Sequence, residues 1–229
     1  SSTYSDCYLS GSNSPVADGH YAQLAVVQCS HKGKPALALV ELNQAQVTHK
    51  ALHSFDQLRP FSELTFNQAK AELLDSNDCV NVIDQVALYA AGIMSFEQIG
   101  GSEACLMMAR DYALERQIFS RPLAGYQAIK HKLAEMYVDI EVARSNAMYA
   151  VWALANNSND SEAAVAVARV SALAAFENAA RENLQTHGGI GYTFEANCHF
   201  YYRRERVLAS WLGGKNPWSK RLINAVQAA

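Results

Sequence analysis

From Tyr4 to about Leu74, apolar and polar residues alternate over short stretches. The apolar runs Leu24-Ala25-Val26-Val27 and Ala36-Leu37-Ala38-Leu39-Val40-Glu41-Leu42 flank Lys32-Gly33-Lys34-Pro35. Two such runs joined by a polar turn with Gly and Pro predict a β-hairpin. Gly11 to Asn13 and Asp18-Gly19 read as further turns, and Val47 to Leu52 and Glu63 to Phe66 as further strands. The expectation is a small antiparallel sheet of about four strands, too little for a comfortable domain alone.

After the polar linker Asp75-Ser76-Asn77-Asp78, rich in N-cap residues, the apolar period changes from two to 3.6. A first long helix is predicted from about Val80 to Glu115, with Gly100-Gly101 as a close-packing point, and Pro122 forbids its continuation. A second runs from about Tyr126 to Asn156, its core-facing stripe being Ile129, Leu133, Met136, Tyr137, Ile140, Ala143 and Ala147. A third, from about Ser161 to His187, is dominated by alanine and is stopped by Gly188-Gly189-Ile190-Gly191. A fourth is expected from about Phe194 to Leu212, and Asn216-Pro217 opens a short terminal helix with Pro at its first position. The fold class is therefore mainly α: an up-down bundle of four long helices (76–229) behind a small, partial antiparallel β domain (1–75). No internal repeat is present.

Composition narrows the function classes. At 229 residues and 50% hydrophobic, the chain can fill a substantial core. Its five cysteines, Cys7, Cys29, Cys79, Cys105 and Cys198, form no CxxC pair and no zinc-like spacing with histidine. They read as reduced, mostly packing thiols of a cytoplasmic protein, and no metal site is expected. Net charge is -3 with no basic block, which argues against nucleic acid as a partner. No apolar run approaches the roughly 18 residues needed to span a bilayer, and no signal-peptide pattern opens the chain. Its first residues, Ser1-Ser2-Thr3 rather than Met, suit a processed product or the trailing part of a longer protein.

Taken singly, the candidate site residues have ordinary readings. Arg116 suits a helix C-terminus, where a cation meets the negative end of the dipole. Phe119 suits a core, Gln127 a solvated helix start, and Gly188 and Gly189 a helix stop. Their arrangement says more. Tyr112-Ala113-Leu114-Glu115-Arg116-Gln117-Ile118-Phe119, then Arg121-Pro122-Leu123 and Tyr126-Gln127-Ala128-Ile129, resembles the "ALERxxFGxPLxxFQAI" run of the acyl-CoA dehydrogenase family. Leu133-Ala134-Glu135-Met136 and Glu141-Val142-Ala143-Arg144 continue the match. Gln185-Thr186-His187-Gly188-Gly189-Ile190-Gly191-Tyr192 with Glu195 resembles its "QxxGGxGYxxE" element.

The resemblance implies that Arg116, Phe119, Gln127, Gln185, Gly188 and Gly189 contact the pyrophosphate and adenine side of an FAD held mainly by a neighbouring subunit. A planar guanidinium suits a diphosphate, an aromatic ring an adenine face, and glycines a close backbone approach. The family removes an α proton from an acyl-CoA with a glutamate and passes the β hydride to flavin N5, so it needs a carboxylate. Most members carry it in an "EGT" step, matched here by Leu212-Gly213-Gly214; others carry it near the start of the first long helix, where Ala90 and Ala91 stand. Glu97 lies one to two turns further on as a substitute. The family's "WITN"-like flavin step is matched by Pro15-Val16-Ala17-Asp18.

The implied function is FAD-dependent α,β-dehydrogenation of an acyl-CoA thioester, with this chain as a subunit that lends cofactor contacts and lacks its own base. Its shortened, altered sheet resembles that of degenerate subunits in mixed assemblies acting on steroid side-chain thioesters. The implied partners are family subunits in a homo- or hetero-oligomer, acyl-CoA and an electron-transfer flavoprotein. The alternative is a non-catalytic helical scaffold or dimerisation module.

Overall fold

A computed structural model describes residues 2–74 and 78–228, so most of the polar linker, 75–77, lies outside the described residues. The chain divides into two compact units, Ser1–Gln85 and Val86–Ala229.

The first unit holds six strands: β1 (Ser2–Ser5), β2 (Tyr8–Ala17), β3 (Leu24–His31), β4 (Lys34–Glu41), β5 (Val47–Leu52) and β6 (Phe61–Leu74). The hairpin β3–β4 forms as expected, pairing Leu24 with Glu41 through His31 with Lys34. The expectation of about four antiparallel strands falls short in two ways. β1 pairs in parallel with β3, and β2 pairs with both β1 and β6, so hydrogen bonding closes the ring β2–β1–β3–β4–β6–β2. Gly11 to Asn13, expected as a turn, lies inside β2, where register shifts fall between Leu9 and Gly11 and between Asn13 and Val16. Gly11, at φ 129°, and Pro15, which has no N–H to donate, occupy these irregular stretches. Leu9, Val40, Leu42, Leu64, Phe66 and Ala69 fill the interior, each at 2% exposure or less.

The second unit contains the helical bundle. Helix α1 (Cys79–Glu115) leads to a two-stranded ribbon, β7 (Gln117–Ile118) and β8 (Arg121–Pro122), then α2 (Gln127–Ala155), α3 (Ser161–His187), α4 (Cys198–Ser210) and α5 (Lys215–Ala228). Leu88, Ile99 and Leu106 of α1, Met136 and Ile140 of α2, Val165 and Phe176 of α3, Leu208 of α4 and Trp218 of α5 share one core. The alanines of α3 at 164, 166, 168, 172, 175, 179 and 180 are buried along its length, which lets neighbouring backbones approach closely.

Several expectations shift by a turn or less. On α2 the buried stripe is Met136, Ile140, Ala143, Ala147, Ala150 and Leu154, whereas Tyr137, one position off it, is 57% exposed. Helix α4 is four residues shorter at its start than expected. The terminal helix is 14 residues long and begins at Lys215, which places Pro217 third, still within the turn whose N–H groups have no intrahelical partner. Of the two glycines in α1, only Gly101 is a packing point: a Cβ there would lie 2.5 Å from Phe176 Cζ, while one at Gly100 meets nothing within 4 Å.

Contrary to expectation, two stretches, Cys79–Glu115 and Ser161–Tyr192, are long and apolar enough to cross a bilayer by length and composition. Alanine accounts for much of the second, 61% of whose most apolar window is buried in the bundle, as in a core helix. Among the described residues no cysteine forms a disulfide, and Cys29, Cys79, Cys105 and Cys198 are buried.

Candidate functional site

The predicted cofactor residues sit where three helix ends meet. Helix α1 ends at Glu115, and Arg116 N–H still bonds Tyr112 O at 2.8 Å before the chain turns outward. Strands β7 and β8 pair Gln117 with Pro122 and Ile118 with Arg121, leaving a two-residue tip. Phe119 and Ser120 at that tip have φ of 50° and 62°, the positive pair that a two-residue hairpin requires. The matched family run has Gly at position 120, so serine holds a conformation here that glycine adopts freely. The ribbon is tied back to the bundle: Leu123 N–H donates to Arg116 O (2.7 Å), Tyr126 Oη–H to Ile118 O (2.8 Å), and the Arg121 guanidinium lies 3.6 Å over the Tyr126 ring. Phe119, at the tip, is 91% exposed. Arg116 is also exposed and has no carboxylate partner among the described residues.

Gln127 is the first residue of α2, exposed beside those ties. Helix α3 returns to the same end of the bundle, where Lys132 Nζ of α2 donates to Glu182 Oε2 at 2.6 Å. Gln185 is exposed in its last turn. Gly188 (φ 63°, ψ -139°) caps the helix with its N–H toward Gln185 O and Leu184 O. A Cβ at Gly188 or Gly189 would meet nothing within 4 Å, so their backbone is open to approach, whereas one at Gly191 would lie 2.7 Å from Leu184 O. The two sequence segments are joined by Tyr112 and His187, whose rings stack with centroids 4.3 Å apart.

At the two positions where the family resemblance implies a base stand Leu212 and Ala90. Leu212 follows α4 at φ 57°, packs partly buried against the core, and accepts a 2.9 Å bond at its carbonyl from Trp218 Nε1. Ala90 is half-buried on α1. Glu97 is held by Arg204, whose Nε is 2.9 Å from Glu97 Oε1 and whose Nη2 also donates to it. In the β unit, the Pro15 to Ala17 side chains offer no hydrogen-bonding group, and Asp18 is occupied with Arg59 at 2.6 and 2.9 Å. An open cleft of about 650 Å³ there is lined by Ser2, Asn13, Val16, Gln28, Cys29 and Leu64, none of them in the predicted cofactor set.

Sequence reasoning passed over Arg169, which is fully buried on α3. Its Nη1 donates to Gln98 Oε1 (2.6 Å) and its Nη2 to Leu208 O (2.6 Å) and Trp211 O (2.8 Å). The cation thus sits on the carbonyls that end α4 and fixes the turn leading to Leu212. Burial pushes its pKa down to about 10, so it remains charged near neutrality. Its spacing of four, three and seven residues from Val165, Ala172 and Phe176, all buried, was the available signal. Glu205, also buried, has its carboxyl pushed up by burial, against the opposing effect of Arg206, which donates to it. Burial also holds the Cys105 thiol up, at about 12, so it is neutral and inert as a nucleophile. Among the described residues no group of three or more His, Cys, Asp or Glu could hold a metal ion.

The bundle defines a class. Residues 81–226 match the family described as acyl-CoA dehydrogenase, C-terminal domain. The chain belongs to the acyl-CoA dehydrogenase family, whose members are FAD-dependent oxidoreductases. Acyl-CoA dehydrogenase IpdE2 of Mycobacterium tuberculosis is 36% identical over 141 residues, covering 62% of this chain and 42% of that protein. Among solved structures, the ChsE4-ChsE5 complex of Mycobacterium tuberculosis superposes at TM-score 0.87 and 24% identity, covering 100% of this chain and 62% of the other. Butyryl-CoA dehydrogenase of Megasphaera elsdenii gives TM-score 0.91 at 21% identity, covering 99% and 62%. At these identities the superpositions establish the fold. The chain spans under two thirds of the length of each of these relatives.

Proposed function

We propose that this chain is a subunit of an acyl-CoA dehydrogenase assembly that lends the pyrophosphate and adenine contacts of an FAD site across a subunit interface, while a partner subunit brings the base. The reading is supported by an exposed Arg116, with no carboxylate partner among the described residues, at the same end of the bundle as an open glycine turn, and by a leucine, Leu212, where the family resemblance implies the base. The described residues fit that half of the cofactor. Arg116 offers a fork of donors to a diphosphate, Phe119 an uncovered ring to a purine, Gln127 and Gln185 amides, and Gly188 and Gly189 a backbone that no side chain screens. The β-unit step fits poorly, since Pro15, Val16 and Ala17 supply neither an aromatic cover nor a hydroxyl.

FAD, when bound, supplies the hydride acceptor for α,β-dehydrogenation of an acyl-CoA thioester. The contribution of this chain is to bind and orient that cofactor. Mixed assembly draws support from the complex named ChsE4-ChsE5, with which the bundle shares its fold. A homo- or hetero-oligomer with family subunits follows, with electrons leaving to an electron-transfer flavoprotein.

The test is FAD affinity, followed by flavin fluorescence, of the chain purified with the subunits that accompany it in its native source. Losing charge-assisted bonds worth about 1.5–3 kcal/mol, Arg116→Ala should weaken FAD roughly 10- to 100-fold. Unchanged affinity, or a native assembly that takes up no FAD, would refute the reading.

A further inference from the structure

We infer that His187 and Tyr112 are positioning residues that hold the two halves of the cofactor surface in register, an inference that rests on the reading above. Neither belongs to the set expected to touch FAD, and each is bonded to that set through its own backbone. Tyr112 O accepts the N–H of Arg116 at 2.8 Å, so the Tyr112 ring is anchored one turn before the cation. His187 immediately precedes Gly188, and a Cβ on Gly191 would come within 3.0 Å of His187 Cβ, so the glycine turn folds back over it. The His187 ring is oriented from below. Its Nδ1 lies 2.9 Å from Asn183 O, and since a carbonyl only accepts, Nδ1 carries the hydrogen. The fixed ring then stacks on Tyr112 at 4.3 Å with 25° between planes.

Further into the bundle α1 is already fixed against α3 by Gly101 on Phe176 and by Gln98 on Arg169; toward this end the tie from Asn183 Nδ2 to Met108 Sδ, at 3.9 Å, is long and ends on a weak acceptor, and the ring stack is the contact next to both halves of the surface. Arg116 and the Gly188–Gly189 backbone would engage one diphosphate together, and paired donors lose affinity when their spacing drifts. The stack acts through these groups and need not touch the ligand.

The experiment titrates FAD into the native assembly carrying His187→Ala, His187→Phe, Tyr112→Leu or Arg116→Ala, and the His187→Ala/Arg116→Ala double variant. Melting curves are recorded in parallel. Loss of an aromatic pair should weaken FAD about 3- to 10-fold in His187→Ala and Tyr112→Leu. Phe restores the stack, so His187→Phe should recover most of the affinity although the Asn183 bond is gone. In the double variant Arg116→Ala should cost less than it does alone, because a misplaced cation contributes less; a purely structural role would leave the two effects additive. Wild-type FAD affinity in both His187→Ala and Tyr112→Leu, or strict additivity, overturns this inference while leaving the cofactor reading intact. Failure of the unmodified assembly to bind FAD removes both.

Discussion

Adjacent glycines in α1 provide a prediction whose sign reverses over one residue. Alanine is favoured over glycine inside a helix by about 1 kcal/mol. At Gly100, exposed and with nothing within 4 Å of an added Cβ, that preference stands alone, so Gly100→Ala should stabilise the isolated chain by roughly 0.5–1 kcal/mol. At Gly101 the same methyl would lie 2.5, 2.7 and 3.1 Å from Phe176 Cζ, Cε2 and Cε1. Favourable carbon contacts begin near 3.5 Å, so about 1 Å of movement is needed from a ring that is 1% exposed and enclosed by the bundle. Overpacking of this kind costs about 1–3 kcal/mol, which cancels the helix preference of about 1 kcal/mol and leaves Gly101→Ala destabilised by up to roughly 2 kcal/mol. Urea unfolding with a common slope measures both changes from the midpoints. Combining Gly101→Ala with Phe176→Leu should reveal coupling, since the smaller side chain leaves room for the methyl and costs less there than in the wild type. The reasoning fails if Gly101→Ala stabilises as much as Gly100→Ala does.

Two further outcomes are expected. Ser120→Gly, which relieves a non-glycine residue at φ 62°, should raise stability by about 1 kcal/mol in the same urea assay, while destabilisation would mean that the serine side chain earns its place by a contact. Glu205→Gln should alter the pH dependence of stability. Because burial raises the folded pKa of Glu205 above its unfolded value, the folded state binds the extra proton, and wild-type stability should fall as pH rises from the ordinary glutamate range through the raised value. The glutamine variant should lose that component and gain relative to wild type over the same window, which unfolding midpoints across a pH series would show; parallel profiles would refute it.

Much of the helical unit was legible because helix periodicity is local. The limits of α3, Ser161–His187, coincide with the expected ones, since serine and glycine signals bracket an unbroken apolar pattern. The family motifs and the leucine at 212 were likewise readable in one dimension. The stripe on α2 held from Met136 to Ala147 except at Tyr137, which lies beside the buried row, a distinction of about one helical position that needs the neighbouring helix to resolve, while Ile129 and Leu133 are only partly buried. The β unit was less legible. Its parallel β1–β3 pair and the closure through β2 and β6 join residues far apart in sequence, and alternation along a strand carries no information about which strand lies next to it.

The sequence by itself determined the helical class, the order of the long helices and the family motifs. Tertiary structure alone decided that the end of α1, the start of α2 and the end of α3 meet at one end of the bundle, and that Gly101 is filled by Phe176 while Gly100 is open. It also decided that Arg169 is buried on the carbonyls ending α4. The division follows from range: side-chain chemistry and backbone period are properties of a few consecutive residues. Proximity, burial and the charge a buried group can bear depend on chain segments that meet only when the bundle closes.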